Sequence, residues 1–168
     1  MRSFELRAAR DSDLDRLQFI SAQARERYRS IPALSHIADA PPLTTDRFKA
    51  CHVAVAIGLD DPSPIGFAAS RPLDGLLYLD NISIAADASG RGIGSALLSS
   101  VIKHAVTLRA PAVSLTTFRQ PAWNGPWFRR HGFKTMRADR IGVGLREVME
   151  RQRRTLDPDS RETLLRIL

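Results

Sequence analysis

The spacing of hydrophobic positions changes several times along the chain, and each change predicts an element. SFELRAA alternates as a first strand and stops at RDSD. There Ser12 and Asp15 form an expected capping pair ahead of Leu14, Leu17 and Ile20, whose helical spacing predicts a helix to about Tyr28. RSIPALSHIADAPPLTTDRF has three prolines and broken periodicity, which predicts a mobile or irregular segment with short helical turns over a pocket. Substrate contacts often sit in such segments, so Tyr28, Ser35 and His36 are its candidate substrate-contact residues. From His52 the period becomes two: CHVAVAIG, the turn DDPSP, IGFAASR, the turn PLDG, then LLYLDNISI. These read as three strands of an antiparallel meander.

SGRGIG follows at Ser89, and SALLSSVIKHA comes directly after it. In this run Leu97, Leu98, Val101, Ile102, Ala105 and Leu108 share one helical face, with Pro111 beyond the end. AVSLTTF is a β-branched strand, and the strand–helix–strand crossover makes it a parallel neighbour of LLYLDNISI. In RQPAWNGPWFRRHGF, Pro126 is placed to open a short helix and Gly132 to close it. GVGLREVMERQRR predicts a further helix with a basic outer face, and RETLLRIL fits helix or strand, since a short apolar run does not separate the two.

A chain of 168 residues that is 43% hydrophobic buries one core, so residues 1–168 are read as a single domain. The 25 basic against 18 acidic residues leave +7, a bias toward anionic partners. Cys51 is alone, which excludes an intrachain disulfide and fits the cytoplasm, and its place in CHVAVAIG reads as a small buried apolar side chain rather than a catalytic thiol. The charged N-terminal stretch MRSFELRAARDSD does not fit a signal peptide, and no apolar run reaches membrane-span length. The four histidines, at 36, 52, 104 and 131, lack ligand spacing, so no metal is expected.

SGRGIG invites two nucleotide-loop readings that its spacing rejects. Gly94 is followed by Ser95 and Ala96 where a P-loop needs lysine. Glycines at 90, 92 and 94, separated from Ile84 by AADAS, do not match a dinucleotide fingerprint. What remains is a small-residue loop whose amides, with those opening the following helix, form a cradle for a pyrophosphate to which Arg91 adds charge. Taken alone, a flexible surface turn fits the same residues.

LDNISIAAD, SGRGIGSALL and the later motif ending HGF together resemble the acyl-coenzyme A binding core of the GNAT N-acetyltransferase superfamily, and SFELRAARDSDLDRL is similar to its opening strand and helix. The order of elements agrees from residue 3 to about 137. TTFRQPAWNGPWFRRHGF resembles a branch in which a W-N-x-P segment opens the last core helix. The resemblance implies an α/β (α+β) fold: a mixed central sheet of six to seven strands with an antiparallel meander, a splayed parallel pair and helices on both faces. It implies acetyl-CoA as cofactor, with the backbone of Ile82, Ser83 and Ile84 pairing with the pantetheine arm and the amides of Ser89, Gly90, Arg91, Gly92, Ile93, Gly94 and Ser95 holding the pyrophosphate. The superfamily loop opens with Gln or Arg, where this chain has Ser89, which shortens one polar side chain near the phosphates.

Acetyl transfer to an amine needs a neutral nucleophile, hence a base or a water chain. Asp80 is the candidate base, with an exposed or structural aspartate paired to Arg71 or Arg119 as the alternative, and Asn81 is placed to orient a water. The superfamily's tyrosine acid is replaced by Phe128, although a thiol with pKa of about 8.5 leaves tolerably as its anion. His131 is a substitute acid or a C-terminal helix partner. Trp123, Trp127 and Phe128 are core or channel wall, and Asn124 caps the helix or reaches the cofactor. The expected function is direct acetyl transfer to a primary amine of a small molecule or peptide. An inert acyl-CoA sensor is the alternative; a nucleic-acid-binding role for the arginines at 129, 130, 137, 140, 146, 151, 153 and 154 is disfavoured for want of a recognised motif. A homodimer through the C-terminal segment stays open.

Overall fold

The computed structural model describes residues 3–168. Its strands are β1 (Phe4–Ala8), β2 (His52–Gly58), β3 (Pro64–Leu73), β4 (Leu76–Ile84), β5 (Ala112–Phe118), β6 (Lys134–Thr135) and β7 (Arg161–Ile167), and its α-helices are α1 (Leu14–Ala24), α2 (Thr45–Lys49), α3 (Ile93–Thr107), α4 (Gly125–Arg130) and α5 (Val143–Gln152). The strands form one mixed seven-stranded sheet in the order β1-β2-β3-β4-β5-β7-β6, and β4 and β5 run parallel. Two compact units divide the chain: one runs up to Arg71 and includes Asp80–Val101, and the other comprises Pro72–Leu79 and Ile102–Leu168.

In the first unit β1 pairs antiparallel with β2, Phe4 opposite Gly58 through Ala8 opposite Ala54, and β2 pairs with β3 through a bulge at Ala56–Ile57. Val53 to Ile57 are all buried, so the period seen in CHVAVAIG alternates side-chain size rather than polarity, as suits a strand covered on both faces. Phe48 of α2 meets Phe67 of β3 edge-on, with centroids 5.2 Å apart. The start of α1 corrects the Ser12 and Asp15 capping pair. A 3-10 turn at Asp11–Asp13 precedes the helix, and the buried Asp13 carboxylate accepts the Arg10 N–H at 2.8 Å and both ends of the Arg7 guanidinium at 2.7 and 3.1 Å. The helix also stops earlier than Tyr28, at Ala24, and continues as 3-10 turns over Arg25–Ser30 and Pro32–Asp39.

The second unit is organised by a short hairpin turn and a late strand. Asp74 and Gly75 take left-handed backbone, φ 53° and 76°, the geometry of a two-residue Asp-Gly turn. The Asp74 carboxylate then accepts the N–H groups of Gly144 and Leu145 at 2.8 and 2.9 Å, which satisfies the open end of α5. Glycine is needed there, because a β-carbon on Gly142 would sit 2.5 Å from Asp74 Cγ. Tyr78, Met136, Leu145 and Val148 form the adjoining core cluster. RETLLRIL resolves as strand, because β7 pairs with β5 along its whole length, from Ala112 opposite Ile167 to Phe118 opposite Arg161. Leu108 leaves the expected apolar face of α3 and is 47% exposed. It lies past the helix end, where Ala110 N–H bonds to Ala105 C=O at 2.9 Å around a left-handed Arg109 (φ 57°).

Two stability predictions follow from these ends. Arg109→Gly removes a left-handed side-chain penalty of about 1 kcal/mol and is expected to raise Tm by about 2–4 °C in a thermal melt. The hydrogen-bonded Arg7 guanidinium holds the Asp13 carboxyl below the ordinary carboxylate range. Its contribution is therefore complete above about pH 4 and is lost as pH falls through the depressed value. Asp13→Asn should cost about 1.5–3 kcal/mol in neutral urea titrations, and the difference from the parent should shrink in acid.

Candidate active site

The first unit builds its site on the second half of β4 and the loop after it. Gly66 on β3 lies so close that a β-carbon there would stand 3.2 Å from the Ser83 carbonyl and 2.9 Å from Ile84 Cδ1. Ala85 N–H donates to Ile65 C=O at 2.8 Å. The run Ile82 to Ile84 is thus held firmly against β3. Asn81 Oδ1 accepts the Ser83 hydroxyl at 2.7 Å, which leaves the amide NH2 end of Asn81 as a donor.

Beyond a 3-10 turn at Ala86–Ala88 the backbone turns left-handed twice, at Gly90 and Gly92, each with φ 78°. A β-carbon at either glycine would meet nothing within 4 Å, so both face open space. The first bond of α3 is Ala96 N–H to Gly92 C=O at 3.1 Å. The amides of Ile93 and Gly94 precede that bond and belong to the positive end of the helix. Ser89 and Ser95 are exposed on either side. The Arg91 guanidinium turns back to Ser3, with Nη2 2.8 Å from the hydroxyl and 3.3 Å from the carbonyl.

Asp80 lies two residues before Ile82 and is the best-partnered carboxylate of this region. Its side chain is only 6% exposed, and Arg47 grips it with both arms of its fork, Nε to Oδ2 at 2.8 Å and Nη2 to Oδ1 at 3.1 Å. Of the two partners expected for Asp80, Arg119 pairs with Glu162 at 3.8 Å, and Arg47 was not nominated by the sequence. α2 supplies Arg47, and Thr44 caps that helix by accepting the Arg47 N–H at 3.3 Å. The segment 30–43 is irregular as expected, yet tied down: Gln18 Nε2 donates to Leu43 C=O at 2.8 Å and Arg25 Nη1 to the carbonyls of Ala40, at 3.0 Å, and Pro41. Tyr28, just ahead of it, and Ser35 within it are half-buried, the Ser35 hydroxyl donates to Pro32 C=O at 3.2 Å, and His36 is exposed.

The second unit carries α4. Asn124 occupies the N-cap position, but through its carbonyl, which accepts the Phe128 N–H at 3.0 Å, and not through a side-chain capping bond. Gly132 closes the helix with φ 86°. Glu162, 3% exposed, accepts both ends of the Arg129 guanidinium at 2.6 and 2.7 Å, and a β-carbon on Gly125 would collide with that carboxylate.

A family model described as Acetyltransferase (GNAT) family matches residues 15–133, well over half of the sequence. The chain belongs to that family. Solved structures of GNAT proteins share its fold. A GNAT-family acetyltransferase from Staphylococcus aureus Mu50 superposes with a TM-score of 0.72 at 15% identity, over 98% of this chain and 99% of that one. The PaiA N-acetyltransferase of Thermoplasma acidophilum, crystallised with coenzyme A, gives 0.70 at 15% identity over 99% of both chains. The ribosomal-protein-S18-alanine N-acetyltransferase of Escherichia coli gives 0.66 at 14% identity, over 98% of this chain and 93% of that one.

In this GNAT chain Phe128 is buried, edge-on to Trp127 at 5.0 Å and to Phe133 at 5.5 Å, and so belongs to an aromatic core. His131 lies over Trp127 with centroids 4.2 Å apart, and its Nδ1 is 2.8 Å from Trp127 C=O, which is the C-terminal helix contact. Among the described residues there is no cluster fit for a metal, and no helix is long and apolar enough to cross a membrane. Burial, then the charge of Asp80, push the half-buried Cys51 thiol up to about 11. Iodoacetamide should therefore label it slowly at neutral pH, with a rate that climbs about tenfold per pH unit up to about pH 10. A fast rate with a plateau near pH 8 would contradict this environment.

Proposed function

We propose that this GNAT chain moves an acetyl group from acetyl-coenzyme A directly to the primary amine of a small molecule or a peptide. The observation that carries the reading is the pair of left-handed glycines, open on their outer side, directly ahead of the α3 amides. Such a corner suits a pyrophosphate, because N–H groups and the helix dipole converge where no side chain stands in the way. The Thermoplasma relative crystallised with coenzyme A supports the same cofactor here. Ser89 to Ser95 would hold the phosphates, and the backbone of Ile82, Ser83 and Ile84 would take the amide-bearing arm as an added strand. An N–H near Ile82 would polarise the thioester carbonyl. Asn124, Trp127 and Phe128 are carried over as lining of the arm's path.

Acetyl-coenzyme A supplies the thioester: the amine nitrogen bonds to the carbonyl carbon, the carbon–sulfur bond breaks and the thiolate departs. Asp80 would accept the proton of the acceptor ammonium, with Asn81 orienting a water for that transfer. Phe128 has no proton to give, so the thiolate would be protonated from water. We read residues 1–168 as one acetyltransferase domain of a branch marked by Trp123 to Pro126. The lone thiol suits a cytoplasmic setting. Arg129, Arg137 and Arg153 pair internally with Glu162, Asp139 and Glu150, which weakens the nucleic-acid reading.

The buried Phe128 also favours the second reading, an inert acyl-CoA sensor. Two measurements separate them. Gly92→Ala should weaken coenzyme A binding about tenfold in calorimetry, roughly 1.4 kcal/mol, with the fold intact by circular dichroism. Thiol release from acetyl-CoA should rise with at least one member of a primary-amine panel. Binding without release on any amine would favour the sensor, and no binding would end both readings.

A further inference from the structure

The last turns of α1 reach the chain just past the end of β4. Gln18 Nε2 donates to Leu43 C=O at 2.8 Å and Arg25 Nη1 to Ala40 C=O at 3.0 Å, so the helix end is pinned on both sequence sides of Gln23. Ala85 is extended, with φ -58° and ψ 140°, and its N–H donates to Ile65 C=O on β3 at 2.8 Å. Successive amides of an extended chain point to opposite sides, so Ala86 N–H leaves on the edge away from β3. There it meets the Gln23 carboxamide, with N 3.3 Å from Oε1. A donor at that end identifies it as the oxygen, and the NH2 end of Gln23 is left with two hydrogens to give. Among the described residues no acceptor meets them.

Beyond Ala86 the main chain bonds to itself: Ala88 N–H donates to Ala85 C=O at 2.9 Å and Ser89 N–H to Ala86 C=O at 3.4 Å. The same turn carries the exposed acid Asp87, which disfavours a phosphate beside Gln23 and leaves a neutral oxygen as the ligand the place suits. A carboxamide has the bonding groups of a peptide unit, an acceptor at one end and donors at the other. Gln23 takes the Ala86 N–H and offers its own N–H one step farther out. It thereby prolongs the hydrogen-bonding edge of β4 past the point where the main chain turns away. We propose that Gln23 is a cofactor-binding residue, whose NH2 group donates to an amide carbonyl oxygen of the pantetheine arm as the arm passes Ala86. The inference rests on the acetyl-coenzyme A reading, in which the main chain of Ile82, Ser83 and Ile84 takes the arm, and adds to it a side chain from α1.

The test measures binding of coenzyme A, and of ADP, to the full chain by calorimetry. Gln23→Glu keeps an oxygen for the Ala86 N–H but at pH 7.5 has no hydrogen to give, whereas Gln23→Leu removes both functions. Each should weaken coenzyme A binding about five- to tenfold. ADP has the diphosphate and no arm, so its affinity should stay within about twofold of the parent's in both variants, which also separates a lost hydrogen bond from plain charge repulsion by the glutamate. Gln23→Glu is isosteric and serves alone should Gln23→Leu fail to fold. Parental affinity for coenzyme A in Gln23→Glu would mean that the carboxamide only holds the turn, and would overturn this inference with the cofactor reading intact. An equal loss for ADP would overturn it as well, because the contact would then lie at the phosphates. A parent chain that does not bind coenzyme A sinks the cofactor reading, and this one with it.

Discussion

Two left-handed glycines, Gly90 and Gly92, two residues apart, govern how β4 gives way to α3. An L side chain at either position would be strained, and the bare backbone also leaves the approach to the helix end unobstructed. Everything upstream serves to hold that corner still. Gly66 lets β3 close onto Ser83, Ala85 bonds back to Ile65, and Arg91 is tethered to Ser3. An anion site made of amides needs such rigidity, because peptide dipoles are effective only when they point at the charge before it arrives.

The charges around Asp80 have a different logic. A carboxylate this buried needs a cation, and Arg47 provides one from a short helix in an irregular segment. That segment is fastened through backbone carbonyls to Gln18 and Arg25, so the position of the fork is set by α1 rather than by chance loop geometry. The surroundings of Asp80 are thereby built from long side chains reaching across sequence, while the glycine corner ahead of α3 is built from main chain.

That difference explains what could be read in the sequence. Strands β1 to β5, the helix after SGRGIG and the closing Gly132 are written in local periodicity and turn chemistry, and the structure has them where those signals lie. The glycine corner ahead of α3 was legible for the same reason, since glycine spacing is itself the signal. Arg47 was not, because its partner is 33 residues away and nothing in TTDRFK marks an arginine for Asp80. Arg91, expected to add charge beside the phosphates, also reaches Ser3, a contact spanning 88 residues that no local pattern announces. RETLLRIL was undecidable locally and became a strand because β5 offered it a full-length edge. Leu108 fitted the helical face in pattern but fell beyond the last turn. The Ser12 and Asp15 cap failed because Arg7 and Arg10 compete better for Asp13, one residue between them.

Asp74 performs two tasks with one side chain: it sits in the bend between β3 and β4, and it seals the first turn of α5 some seventy residues later. Neither structure can fray without uncovering the other's polar groups. The hairpin tip and that helix should accordingly behave as one cooperative unit, opening together and exchanging their amide hydrogens at a common rate, rather than loosening as an independent loop and an independent helix end.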